Sequence, residues 1–173
     1  MSQNDRVFAD LLANTRNSAV HLELRDFYGI GEEAAEFRAW QSGWRPDADP
    51  AAWWNEFHAM VRDATARGVV FRRARIVSEP VSDYIRYEYG CTYQNLAAGE
   101  SVRWLSRRKA SDVALPGNDF WLFDDFAVMF NHFTGDGGSA GPELDERPAV
   151  IKLCAAAFES VWERATPHGE YEI

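Results

Sequence analysis

The stretch SAVHLELRDF, residues 18–27, alternates strictly: Val20, Leu22 and Leu24 project one way, His21, Glu23 and Arg25 the other. A period of two with one dry face is a half-buried β-strand, here over 19–26. Apolar, β-rich runs predict further strands at 69–77 (VVFRRARIV), 101–107 (SVRWLSR) and 119–133 (DFWLFDDFAVMFNHF). The last reads as two strands, 119–124 and 126–133, hinged at Asp124-Asp125 as a hairpin. Helical spacing fills the intervals. Residues 6–16 carry Phe8, Leu11 and Leu12 on one side, and GIGEEAAEFRAWQSG (29–43) is a helix stopped by Gly43. Asp49-Pro50 opens a longer helix to about Ala66, with Trp53, Trp54, Phe57, Met60 and Val61 as its apolar stripe. Another helix starts at Ser78-Glu79-Pro80, with Pro80 in the first turn, where a missing N–H costs nothing. The last runs from about Arg147 to Ala165. Residues 134–146, TGDGGSAGPELDE, are expected to form a Gly-rich mobile loop. Interleaved helices and strands predict an α/β (or α+β) fold. It is a single domain over 1–173, with a mixed sheet of about five strands flanked by helices.

Composition agrees with a folded globule. The chain has 173 residues, enough for one core without staples, and 46% of them are hydrophobic, including seven Trp, eleven Phe and six Tyr. Cys91 and Cys154 sit in apolar helical surroundings, as buried free thiols of a reducing compartment do. No apolar run approaches the length of a membrane span, and the N-terminus lacks a signal-peptide core, so a cytoplasmic protein is expected. The 18 basic and 27 acidic residues give a net charge of −9, which opposes direct binding to nucleic acid or anionic lipid. All the basic residues but Lys109 and Lys152 are Arg, the better partner in planar ion pairs; a GC-rich genome produces the same bias.

Arginines stand inside an apolar strand. Arg73 and Arg75 share a face with Phe71 and Val77, and Arg72 shares the other with Val70, Ala74 and Ile76. A buried guanidinium is costly without a carboxylate, so Arg75 is expected to pair with Glu23 or Asp83; Glu88 and Asp124 are further candidates. The alternative is a ligand or anion site at the following helix N-terminus, built from Arg73, Arg75, Glu79, Asp83, Tyr84, Arg86 and Asp124. Glu79 is a carboxylate that could itself fill that place, and the ion-pair network is the preferred reading. Asp119 and Asp124-Asp125 suit a magnesium and phosphate site or, preferably, an ordinary tight turn. Trp40, Trp44, Trp53 and Trp54 surround the linker SGWRPDADP and are interface candidates. The plainer reading packs them as a helical layer on the sheet.

Catalytic and cofactor patterns fail on inspection. GGSAG, Gly137–Gly141, has the spacing of a nucleophile elbow, but Pro142 follows and no helix opens directly after it. The glycine spacing of GDGGSAG is wrong for a dinucleotide fingerprint. His21, His58, His132 and His168 show no i, i+2 or i, i+4 pair, and neither cysteine has a neighbouring His. No catalytic residue, metal site or cofactor is expected.

Four stretches, AVHLELRDFYGI, RRARIVSEPVSDYIRYEY, NLAAGESVRWLSR and DFWLFDD, together resemble an actinobacterial domain-of-unknown-function family. That family is encoded beside Xre-type helix-turn-helix regulators in WhiJ-type clusters, which also carry a small accessory protein. The resemblance covers about residue 8 to Tyr171. It implies an accessory protein of a regulatory or toxin–antitoxin-like module, with a helix-turn-helix regulator or the small accessory protein as partner. A weaker resemblance, in AAGESVRWLSR and FWLFDDFAVMF, is to the phospholipase-D-like regulatory domains of some transcription factors. The enzymes of that superfamily need H-x-K, and no histidine here is followed two residues later by Lys. A noncatalytic regulatory protein is therefore the preferred expectation. An enzyme or toxin acting on a phosphate-bearing substrate through Arg73, Arg75, Arg86 and the acidic residues at 119–125 is the alternative.

Overall fold

Seven strands form one mixed sheet in the structure, a computed structural model that describes residues 3–29 and 31–173. They are β1 (Ser18–Glu23), β2 (Val70–Val77), β3 (Glu100–Ser106), β4 (Asp119–Phe123), β5 (Ala127–Phe133), β6 (Ser139–Asp145) and β7 (Thr166–Pro167). Their order across the sheet is β6-β5-β4-β1-β2-β3-β7. β1, β2 and β3 are parallel, and every other pairing is antiparallel. Asp124-Asp125 turn the β4–β5 hairpin as expected.

The sheet exceeds the predicted count of about five by its two edges. β6 lies within the Gly-rich stretch, so residues 139–145 pair with β5, across a register shift at His132/Phe133, instead of forming a loop throughout. Most of its residues are not buried. An edge strand needs backbone pairing but no apolar alternation, which left it without a signature. β7 has only two residues.

Among the described residues, six α-helices surround the sheet: α1 (Gln3–Asn14), α2 (Gly31–Gln41), α3 (Glu56–Ala66), α4 (Asp83–Cys91), α5 (Tyr93–Ala98) and α6 (Pro148–Arg164). Two helix starts differ from the sequence reading. Pro50–Ala52 form a separate 3-10 turn, and α3 begins afresh behind Asn55. The Asn55 side chain accepts the His58 N–H (3.1 Å) while His58 Nδ1 accepts the Asn55 N–H (3.3 Å), a reciprocal cap that fixes a new N-terminus. Pro80 lies outside α4. Ser78 is occupied elsewhere, its N–H and hydroxyl both donating to Asp26 at 2.7 Å. Ser82 caps instead, accepting the Ile85 N–H.

Strand alternation divides the core between the two faces. Val20, Leu22, Ala74, Ile76, Leu105, Phe120 and Val128 pack against Ile151, Cys154, Phe158 and Val161 of α6. On the opposite face, Ala19, Phe71, Trp121 and Phe123 pack with α1 and α3. Val77, Val102 and Trp104 pack with Tyr84, Ile85 and Tyr87 of α4 at the other end. Between these two apolar clusters the same face carries His21, Glu23, Arg73 and Arg75, and there the helices part. Among the described residues, no helix is long and apolar enough to cross a membrane.

Candidate functional site

The parting of the helices leaves a cleft of about 820 Å³. Its floor is the polar strip of β1, β2 and β4. Glu33 and Glu36 of α2 with Tyr87 and Glu88 of α4 stand on one side, the start of α3 on another, and β5–β6 on the third. Strand register builds the floor. His21 lies beside Arg73 and Glu23 beside Arg75 across β1–β2, so four long polar side chains emerge together.

The two arginines are held inside the fold, each only 7% exposed. Arg73 donates from Nε (2.8 Å) and Nη2 (3.2 Å) to Glu100, and from Nη1 to Glu23 (2.5 Å). Arg75 donates from Nε to Glu23 and from Nη1 to Thr92 Oγ1 (2.8 Å), and its Nη2 lies 3.4 Å from Glu88. The guanidiniums also rest on rings, Arg73 over Trp121 (5.4 Å) and Arg75 over Trp104 (4.9 Å). Arg75 therefore pairs with Glu23, one of its two expected partners, while Asp83 lies exposed at the start of α4.

Charge states follow from these contacts. Burial alone would raise the Glu23 carboxyl, but Arg75 and Arg73 outweigh it and hold it well below the usual carboxylate range. Glu88 shows the opposite balance. Burial pushes it up to about 8, and the pull of Arg75 at longer range does not overcome it with Glu23 and Glu33 nearby. Burial and then Arg73 lower His21 to about 3, so it is neutral. Its ring lies flat on Trp121, with centroids 4.2 Å apart. Burial also raises Asp119 to about 6, although Tyr28 donates its hydroxyl to that carboxylate. The floor at neutral pH thus holds two guanidiniums, an ionised Glu23 and a neutral His21, with a largely protonated Glu88 on the wall.

The residues proposed from sequence for a ligand site do not converge. Arg73 and Arg75 share the floor. Tyr84 is buried under α2, donating its hydroxyl to Glu33. Glu79 is exposed and accepts the Tyr171 hydroxyl at 2.7 Å, and Arg86 is exposed on α4. Asp124 sits at the far end of β1, where it accepts the N–H groups of Arg16, Asn17 and Ser18 at 2.7–2.9 Å. Of the tryptophans, Trp40 packs with Phe37 and Tyr87, Trp53 and Trp54 with each other and His58, and Trp44 is 42% exposed. Ser139 opens an edge strand and is not on a strand-to-helix elbow. Sequence reasoning missed Glu33, Glu36 and Tyr28 as cleft residues. No spacing marks them, because loops and crossovers deliver them.

The chain belongs to the DUF6879 family, a domain of unknown function, which matches residues 6–173. No curated protein matches it. Among solved structures it is similar in fold to NucT from Helicobacter pylori, with a TM-score of 0.55, 10% identity and coverage of 95% of this chain and 91% of that one. Nuc from Salmonella typhimurium, a phospholipase D family member, gives a TM-score of 0.49 at 12% identity, covering 94% and 89%. The archaeal chromatin protein TrmBL2, described as showing a novel mode of DNA binding, gives 0.49 at 12% identity; the match covers 94% of this chain and 49%, about half, of that one. At 10% identity the likeness to NucT is one of fold alone.

Proposed function

We propose that this chain is a noncatalytic binding protein whose partner is a basic protein, a helix-turn-helix regulator in the reading that the sequence resemblance supports. One observation carries this. The cleft floor has the cations that a phosphate-handling site would use, and they are spent internally on Glu23 and Glu100. A phosphate-bearing substrate would have to displace buried carboxylates from Arg73 and Arg75, at the cost of leaving those charges unpaired. Six carboxyl groups line the cleft (Glu23, Glu33, Glu36, Glu56, Glu88 and Asp119) against two guanidiniums. With a net charge of −9, the surface attracts a cationic partner and repels nucleic acid. None of His21, His58, His132 and His168 is followed two residues later by the Lys that phospholipase-D-like enzymes need.

The test mixes the purified protein with the regulator encoded beside it, measured by analytical ultracentrifugation and calorimetry. A stoichiometric complex is expected, with no turnover of a phosphodiester reporter and no shift of bare DNA. Phosphodiester turnover abolished by Arg73→Ala, or DNA binding without the regulator, would overturn the proposal.

A further inference from the structure

A carboxylic acid on the cleft wall is buried yet left without a hydrogen bond. Glu88 is 7% exposed, and among the described residues its carboxyl group is met by Arg75 alone, at 3.4 Å and outside hydrogen-bond geometry. Its nearest cation, Arg75 Nη2 at 3.4 Å, belongs to a guanidinium already committed to Glu23 and Thr92. A buried carboxyl is normally hydrogen-bonded, so one that faces open space in a cleft invites a donor from outside. His21, on the floor of the same cleft and itself nine-tenths buried, has an Nδ1 without a hydrogen bond, 3.4 Å from Glu23 Oε1. The surrounding surface is chosen in kind. Glu33, Glu36 and Asp119 add carboxyl groups, and the rings of Tyr28, Tyr87 and Phe133 line the cavity. Carboxylates beside aromatic faces form the environment that desolvates and holds an organic cation.

We propose that the cleft is a binding site for an alkylammonium or guanidinium group, with Glu88 as the anchoring carboxylate and the Tyr28, Tyr87 and Phe133 rings around the alkyl stem. This rests on the reading of the chain as a binding protein and names the chemistry of what enters. A lysine or arginine side chain of a protein partner and a free amine supply the same group. The groups facing Glu88 are Arg73 and Arg75 from β2, Glu23 from β1 and Glu33 from α2. Tyr28, Tyr84 and Cys91 are close enough to feel its charge, and all three are held protonated at neutral pH. Before a cation enters, Glu88 carries a proton at pH 7, its carboxyl being raised to about 8. An entering cation converts it to the carboxylate and displaces that proton to solvent.

The test is calorimetry with agmatine, which carries an ammonium and a guanidinium group, set against norleucinamide acylated at its amine, which carries neither, and against inorganic phosphate. Saturable binding of agmatine is expected, with the neutral analogue and phosphate inert. In Glu88→Gln, which keeps the shape and removes the charge, agmatine affinity is expected to fall at least ~tenfold. Repeating the titration at pH 7 in buffers of different ionisation enthalpy should reveal proton release in the parent that Glu88→Gln lacks. No saturable agmatine binding, an affinity unchanged in Glu88→Gln, or binding of phosphate in preference would each overturn the site. Should Glu88→Gln fail to fold, the contrast between agmatine and the neutral analogue decides alone. If agmatine displaces the regulator, the partner's side chain is the source of the cation; if it binds without displacing the regulator, a free amine is. A regulator complex insensitive to agmatine and to Glu88→Gln, together with no agmatine binding, would sink this inference while leaving the proposed function standing.

Discussion

The floor of the cleft is decided by which carboxylate each arginine reaches. Arg75 joins Glu23 on β1, Thr92 before α5 and Glu88 on α4, so three elements meet at one guanidinium. Arg75→Ala leaves buried Glu23 with Arg73 as its one guanidinium and takes the nearest cation from Glu88, and is expected to cost ~3–5 kcal/mol in urea unfolding. An unchanged midpoint and slope would mean that the pairs are not buried in solution. Glu88 also sets a pH dependence with a definite sign. Its folded-state value is raised from 4.5 to about 8, so the folded protein binds the proton more tightly than the unfolded chain. The stability this confers is full below about 4.5 and is lost as pH rises through about 8. Glu23, held low, behaves oppositely and loses its contribution as pH falls below its ordinary 4.5. Glu88→Gln removes only the first effect. Its melting temperature, relative to the parent, is therefore expected to rise between pH 5 and pH 8. A constant difference across that interval would refute the raised value.

Turns and caps fix the elements. Asp124 adopts φ of 45° in the β4–β5 turn, a left-handed conformation that Asp tolerates because its short side chain bonds locally. Its carboxylate receives three successive N–H groups at the start of β1, which ties the hairpin to the strand it flanks. Asp124→Ala is expected to lower stability by about 2 kcal/mol in urea melts while leaving agmatine binding at the distant cleft unchanged. Loss of that binding at full stability would make Asp124 part of the site. At the opposite end of the sheet, Arg107 donates to the carbonyls of Leu24 (2.8 Å) and Ile76 (2.9 Å), closing the ends of β1 and β2. Arg107 thus clamps two strands.

At the scale of the whole molecule, one face of the sheet is sealed by α6 and the other is only partly closed. The open part coincides with the polar strip, because charged side chains cannot be roofed by an apolar helix without further partners. The resulting cleft is acid-rich within an acid-rich protein. Association with a basic partner is expected to be electrostatically steered, so stopped-flow measurements from low to high salt should show the on-rate falling steeply while dissociation changes less. A salt-independent on-rate would place the contact on the aromatic surface around Trp44 instead.

The sequence by itself determined the five main strands, the hairpin and the apolar stripes, since those depend on periodicities of two and 3.6 that each residue run carries locally. It also placed Arg73 and Arg75 on one face and required carboxylates for them, because burial of a guanidinium has the same cost in any fold. Pairing and position needed tertiary structure. The edge strand β6 carries no alternation, and the starts of α3 and α4 were settled by competition between caps, with Ser78 withdrawn by Asp26 from 52 residues away. Asp124, Glu79 and Arg86, proposed together with the arginines, went to separate places. Glu33, Glu36, Glu88 and Tyr28 came to the cleft because the segments that connect β1 to β2 and β2 to β3 carry them over the charged strip. Local patterns report which side chains must be buried; only the packed chain decides which of them face each other across open space, because that depends on contacts between residues far apart in sequence.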